Sequence, residues 1–275
     1  MFDMTGKIVF ITGGGGGIGA GIAQAFAERG AKIVLADIQT AFAEEEAAKL
    51  PPEAETQVVT LDVRSLESWN AARELVESRL GAVDILCNNA GISNGFKPLA
   101  DVTPDEFERV MAINVTGVYN GIRTFMPSMV ARGSGHIVNT SSVNGLTPFG
   151  SFAAYSASKF AVLGLSDALR EELEPTGVGV STLFPGLTRS RMAENDAGGA
   201  SRQDTERLAA IRANMMDPVW LGRAVVHAVE HNEPYIVTHP EYRNGLVARQ
   251  ERILAAFGEP AQPGYRTGSS ATKVE

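Results

Sequence analysis

One cysteine, Cys87, is all that 275 residues carry. No internal disulfide can form, and a reducing, cytoplasmic compartment is expected. Cys87 ends an apolar run, where a thiol serves as plain core packing. The chain also lacks any basic block, and its formal net charge is −8 at pH 7. Repulsion from phosphates argues against nucleic acid or an anionic membrane as the main partner. No apolar run approaches the roughly 18 residues of a membrane span. The N-terminus enters an apolar strand at Lys7 with no charged leader or cleavage site, so no export signal is expected. Of the four histidines, His227, His231 and His239 show no partners at metal-ligand spacing, and no metal is expected.

What the chain does have is an ordinary globular balance, 44% apolar and 20% charged, at a length that suits one large α/β domain. Short apolar runs alternate with amphipathic stretches. Lys7–Thr12, Lys32–Asp37, Gln57–Leu61, Val83–Cys87, Gly135–Thr140, Gly179–Phe184 and Tyr235–Thr238 read as strands. Helical patterns lie between them. That alternation predicts a Rossmann-type doubly wound parallel sheet of about seven strands in a single domain, residues 1–257. Residues 187–215 are polar and irregular and read as a substrate lid. The tail 258–275, rich in Pro, Gly and Ser, reads as disordered or as held by a neighbouring subunit.

After the first strand comes Gly13-Gly14-Gly15-Gly16-Gly17-Ile18-Gly19, and a helix follows. Strand, glycine turn and helix together suit a pyrophosphate cradle, because glycine lets backbone N–H groups approach the anion at a helix N-terminus, while five consecutive glycines taken alone would equally suit a flexible loop. Asp37 ends the second strand, where an acid accepts hydrogen bonds from an adenosine ribose. Its charge would repel a 2′-phosphate. Ile38 follows it, and no Lys or Arg lies in the glycine turn, so NAD is favoured over NADP.

Thr103-Pro-Asp-Glu106 has the form of a helix start, with a Thr cap, Pro first and Glu third. The helical pattern runs on to about Arg132. Asn114 interrupts it, since its side chain competes for backbone groups, and a bend or break is expected there. His136 at the start of a strand reads as a structural residue.

Tyr155 and Lys159 lie one helical turn apart, on one face. A phenol with a pKa of about 10 is a poor base at neutral pH. A nearby cation favours the phenolate and lowers that value. A shift of about 3 pKa units would need roughly 4 kcal/mol of differential stabilisation.

Taken together these motifs resemble the short-chain dehydrogenase/reductase family over roughly residues 5–240. The matching pieces are Thr12-Gly13 with Gly17 and Gly19, Asp37, Asp62-Val63, Asn88-Asn89-Ala90-Gly91, Asn114, Ser142, Tyr155 with Lys159, and Pro185-Gly186 with Thr188. The resemblance implies an NAD-dependent oxidoreductase that interconverts a secondary alcohol and a ketone by hydride transfer. It makes Tyr155 the general acid/base and gives Ser142 the substrate oxygen. Lys159 would tune Tyr155 and bind the nicotinamide ribose. Asn114 would hold a water linking Lys159 to solvent. Gly13, Gly17, Ile18 and Gly19 would hold the pyrophosphate, Asp37 and Ile38 the adenosine ribose side, and Asp62 and Val63 would flank adenine. Asn89, Ala90 and Gly91 would brace the sheet edge, with Pro185, Gly186 and Thr188 at the nicotinamide end. Homotetramers or homodimers through the long helices at 104–132 and 155–173 are also implied.

On the substrate side, Ser142, Asn144, Phe149, Tyr155 and Met192 are candidates, with Ser93, Asn94, Phe96, Phe152, Leu187, Met215 and Met216 nearby. They suggest an apolar or aromatic small-molecule substrate. Arg189 and Arg191 read as a solvated lid face. More loosely, the end of the chain is similar to bacterial Cα-dehydrogenases that oxidise benzylic alcohols of aryl ethers. A 3-oxoacyl-type ketoreductase and a non-catalytic NAD-sensing or scaffold protein are the alternatives. Asp37 and the acidic net charge weigh against the first, and the intact Asn114, Ser142, Tyr155 and Lys159 against the second.

Overall fold

The computed structural model describes residues 3–190 and 215–258. In the unit ending at Pro240, seven parallel strands form one sheet in the order β3-β2-β1-β4-β5-β6-β7. They are β1 (Ile8–Thr12), β2 (Lys32–Asp37), β3 (Thr56–Thr60), β4 (Ile85–Asn88), β5 (Gly135–Thr140), β6 (Val178–Phe184) and β7 (Tyr235–Val237).

Side chains alternate across a strand, and a sheet buried on both faces needs apolar residues at both parities. The strand sequences meet that demand. Val9, Ile11, Ile33, Leu35, Ile85 and Cys87 point into one core layer, together with Ile22 and Phe26 of α1 (Gly17–Ala27) and Leu221 and Val225 of α7 (Pro218–His231). Ile8, Phe10, Val34, Leu86 and Ile137 point into the other. That layer is filled from α3 (Leu66–Arg79), α5 (Gly117–Arg132) and α6 (Ala153–Leu173). Its densest point is the aromatic cluster of Phe10, Trp69 and Phe125, with ring centroids 5.0–6.1 Å apart. Cys87 is core, as expected.

Two shorter helices complete this unit among the described residues, α2 (Thr40–Ala47) and α4 (Pro104–Met111). The start of α4 has both halves of the expected capping box. The Glu106 N–H donates to Thr103 Oγ1, and the Glu106 carboxylate accepts from the Thr103 N–H at 2.8 Å. The expected interruption is also present. One π-helical turn, Ala112–Thr116, separates α4 from α5 and places Asn114 at its centre. Such bulges turn one side chain out of the regular helical spacing.

A second unit begins at Glu241. Its helix α8 (Arg243–Leu254) has no buried residue.

Sheet order reverses at β1, which lies between β2 and β4. The crevice beyond the carboxyl ends of β1 and β4 is where a doubly wound sheet binds ligands.

Candidate active site

Everything the sequence pointed to inside the described residues stands on loops leaving the carboxyl ends of the strands, or on the helices those loops enter. At the end of β1, Thr12 Oγ1 accepts from the Asn89 and Ala90 N–H groups, both at 2.9 Å. Asn89 Nδ2 returns a bond to the Thr12 carbonyl at 3.0 Å. These bonds fasten the glycine turn to the loop after β4. The turn then doubles back so tightly that a Cβ on Gly19 would lie 2.2 Å from the Gly13 carbonyl oxygen. Only glycine fits there.

The first turn of α1 holds no acidic residue, and no side chain caps it. Its N–H groups and dipole are suited to an anion. The Asp37 carboxylate accepts the Gly15 N–H at 2.9 Å on Oδ2 and the Gln39 N–H at 2.9 Å on Oδ1. The acid thus holds the turn as well as standing where a ribose would be met. A glycine cradle with an uncapped helix start and an acid at the next strand end fits a dinucleotide.

Other cofactor-side candidates have more structural surroundings. The Asp62 carboxylate pairs with Arg64 through Nε and Nη2 at 2.6–3.2 Å. The hydrogen bond from that guanidinium holds its pKa below the usual carboxylate range. The Val63 side chain belongs to the core, and its carbonyl accepts from Trp69 Nε1 and Asn120 Nδ2. Ile18 packs partly against the core and Ile38 is exposed.

Beyond the end of β6, the Pro185 carbonyl accepts the Val143 N–H at 3.0 Å and the Ser142 hydroxyl at 3.4 Å. Thr188 is buried, with its hydroxyl on the Gly186 carbonyl. His239 is a residue that sequence reasoning missed. Its Nδ1 accepts the Gly186 N–H at 3.0 Å, and its Nε2 faces the Leu187 carbonyl at 3.3 Å. That pattern assigns the proton to Nε2. No spacing rule links His239 to Gly186, because β7 brings it there only through the sheet.

The helix that carries Tyr155 and Lys159 is held to β5 and its following loop by polar bonds. Asn139 Nδ2 donates to Ser166 Oγ, Ser141 Oγ to the Lys159 carbonyl, and Lys159 Nζ to the Thr140 carbonyl, at 2.8–3.0 Å. A fourth bond, from Ser156 Oγ to Asn144 Oδ1, ties the Ser142–Asn144 loop to the same helix. Asn144, a substrate candidate, therefore has a local partner. The Asn144 N–H donates to Ser142 Oγ.

Lys159 is buried, and desolvation pulls its pKa down to about 8. It still carries its proton for the most part at pH 7. Its Nζ lies 5.5 Å from the centre of the Tyr155 ring. Asn114 faces the same place. A Cβ on Gly91 would stand 3.2 Å from Asn114 Oδ1 and 3.4 Å from Lys159 Nζ. Asn114 also receives the Ile92 N–H at 2.8 Å and donates Nδ2 to the Ile92 carbonyl and Ser158 Oγ. It thus clamps the loop after β4 to α6.

Aromatic side chains form the outer rim. Phe96, Phe152 and Tyr155 stand in a row, with centroids 4.2 and 6.2 Å apart. Phe96 is 82% exposed, and Phe149 and Leu187 are also exposed. Met216 packs partly against the core. Arg189, expected as a solvated lid face, pairs with Asp217 just ahead of α7. Met192, Arg191 and most of the expected lid lie outside the described residues, as does the tail beyond Gly258.

Comparison with known proteins gives a consistent picture. A family model described as short chain dehydrogenase matches residues 7–199. The chain is 35% identical to a C alpha-dehydrogenase of Sphingobium sp. strain SYK-6, over 92% of this chain and 87% of that protein. It is 36% identical to a 3-alpha-(or 20-beta)-hydroxysteroid dehydrogenase of Mycobacterium tuberculosis, over 70% of this chain and 72% of that protein. The crystal structure of a short chain dehydrogenase/reductase from Burkholderia phymatum in complex with NAD superimposes with a TM-score of 0.85 at 29% identity. It covers 95% of this chain and 99% of that one.

Proposed function

The chain belongs to the short chain dehydrogenase family, and from that premise we propose that it is an NAD-dependent oxidoreductase of secondary alcohols and ketones with an aromatic or otherwise apolar substrate. One observation carries the reading. A buried ammonium, Lys159, stands 5.5 Å from the Tyr155 ring at the carboxyl end of the sheet, beside Gly91 and Asn114.

The nicotinamide supplies the hydride acceptor or donor. The protein supplies the rest. The Tyr155 hydroxyl takes the alcohol proton in oxidation and returns it in reduction. Lys159 favours the phenolate that this exchange requires. The Ser142 oxygen accepts the Asn144 N–H, and its one hydroxyl proton turns from the Pro185 carbonyl to hold the substrate oxygen. Asn114 and Ser158 fix the turn of α6 that carries both catalytic side chains.

Two features support the cofactor and substrate assignments. Asp37 at the end of β2 disfavours a 2′-phosphate, and the related Burkholderia protein binds NAD. The Phe96–Phe152–Tyr155 row offers an aromatic rim, and the Sphingobium relative is a Cα-dehydrogenase.

A screen of NADH formation over aryl, steroid, sugar and aliphatic secondary alcohols tests the proposal. Aryl alcohols should be turned over best. Tyr155→Phe should still bind NAD and lose turnover by about 100-fold or more. Undiminished turnover in that variant would remove Tyr155 from the mechanism. Preference for sugars would remove the aromatic assignment alone.

A further inference from the structure

The last turns of α7 carry His227-Ala-Val-Glu230-His231. The expectation that these histidines have no partners at ligand spacing does not hold. Helix geometry brings residues four apart together, and the two imidazole centroids are 4.2 Å apart. One ligand atom from each of His227, Glu230 and His231 lies within 4.8 Å of the others. Metal–nitrogen bonds of about 2.0–2.1 Å in a tetrahedron require ligand atoms about 3.3 Å apart, which small side-chain rotations would supply.

We propose that His227, Glu230 and His231 form a binding site for a borderline transition-metal dication such as Zn2+ or Cu2+.

A second observation points the same way. His231 Nδ1 lies 2.8 Å from the His227 carbonyl oxygen, so it is the donor. That bond fixes the tautomer and leaves the Nε2 lone pair for a ligand, the arrangement that metal-bound histidines adopt. Glu233 brings a further carboxylate to the rim, with Oε1 3.4 Å from His227 Nε2.

The string has the H-x-x-E-H form found on some metallopeptidase helices. Here Glu230 is buried and paired with Arg29 at the end of α1, so its carboxylate is not free to act as a base. The reading is therefore a binding site and not a hydrolytic one. A bound ion would take the Glu230 oxygen that Arg29 does not hold, leaving that pair in place.

The chain makes the test clean. Its other two histidines, His136 and His239, are buried, as is Cys87. Full-length protein purified without a histidine tag should be titrated with Zn2+ by calorimetry. One ion per chain should bind, with saturation below about 1 mM. His227→Gln/His231→Gln should weaken binding by at least about tenfold and leave NAD affinity unchanged. The electron paramagnetic resonance spectrum of the wild-type Cu2+ complex should show nitrogen ligation. It reads the site without a variant, should the variant not fold. Failure to saturate by about 1 mM would overturn the site. So would equal Zn2+ affinity in the double variant, an all-oxygen Cu2+ spectrum, or Mg2+ binding as tightly as Zn2+.

Discussion

The Lys159 ammonium is buried and donates to the Thr140 carbonyl at 2.9 Å. The bond orients the cation. It does not recover the hydration lost on burial, which is why the lysine is held at about 8.

That depression makes folding pH-dependent. The unfolded chain keeps this proton up to about pH 10.5 and the folded chain only to about pH 8. The penalty for burying the charge is therefore fully present below pH 8 and relieved as pH rises toward 10.5. The upper bound is about 3 kcal/mol. Denaturant unfolding of cofactor-free wild type and Lys159→Met between pH 7 and 10.5 should show the difference moving toward the wild type. A flat difference contradicts the assignment.

Asp37 holds the Gly15 and Gln39 N–H groups with its two oxygens, and in the proposed reading its charge would also disfavour a 2′-phosphate. Asp37→Ala should weaken NAD by about tenfold or more and narrow the gap between NAD and NADP. Paired affinity measurements decide it. Wild-type protein that binds NADP as tightly as NAD would end the coenzyme proposal.

Gly19→Ala places a methyl group 2.2 Å from the Gly13 carbonyl oxygen, so the turn must open. We expect a loss of about 1–3 kcal/mol in stability and a larger proportional loss of dinucleotide affinity. Thermal melts with and without NAD separate the two. An alanine variant with unchanged affinity would show that the cradle does not form the pyrophosphate site.

His239→Ala leaves the part-buried Gly186 N–H without its acceptor, at a cost of about 1 kcal/mol. The Pro185–Gly186 turn should loosen, raising KM for NAD. His239→Asn, which can still accept from that N–H, should recover part of the loss. A variant unchanged in both stability and KM would remove His239 as a brace.

The local signals were legible because they follow from short-range geometry. Thr103 and Glu106 had to cap a helix together. Strand runs apolar at both parities had to lie inside a two-faced sheet. Asn114 broke a helical pattern, and a π turn stands there. Other features depend on contacts no period encodes. Val63 and Met216 pack against the core, and Asp62 also pairs with Arg64, two residues away. His239 reaches Gly186 across the sheet. The His227–His231 pair was within reach of the sequence, since a helix always brings such positions together.

By itself the sequence determined the alternation of strands and helices, the glycine turn and the Tyr155–Lys159 pair, because steric and hydrophobic periodicity act within a few residues. Only the tertiary structure decided that Lys159 is buried, that Gly91 and Asn114 border it, and that Asp37 holds the turn it faces. Burial and pairing between distant segments arise when the sheet closes, and the free energies that set a proton's affinity are fixed at that step.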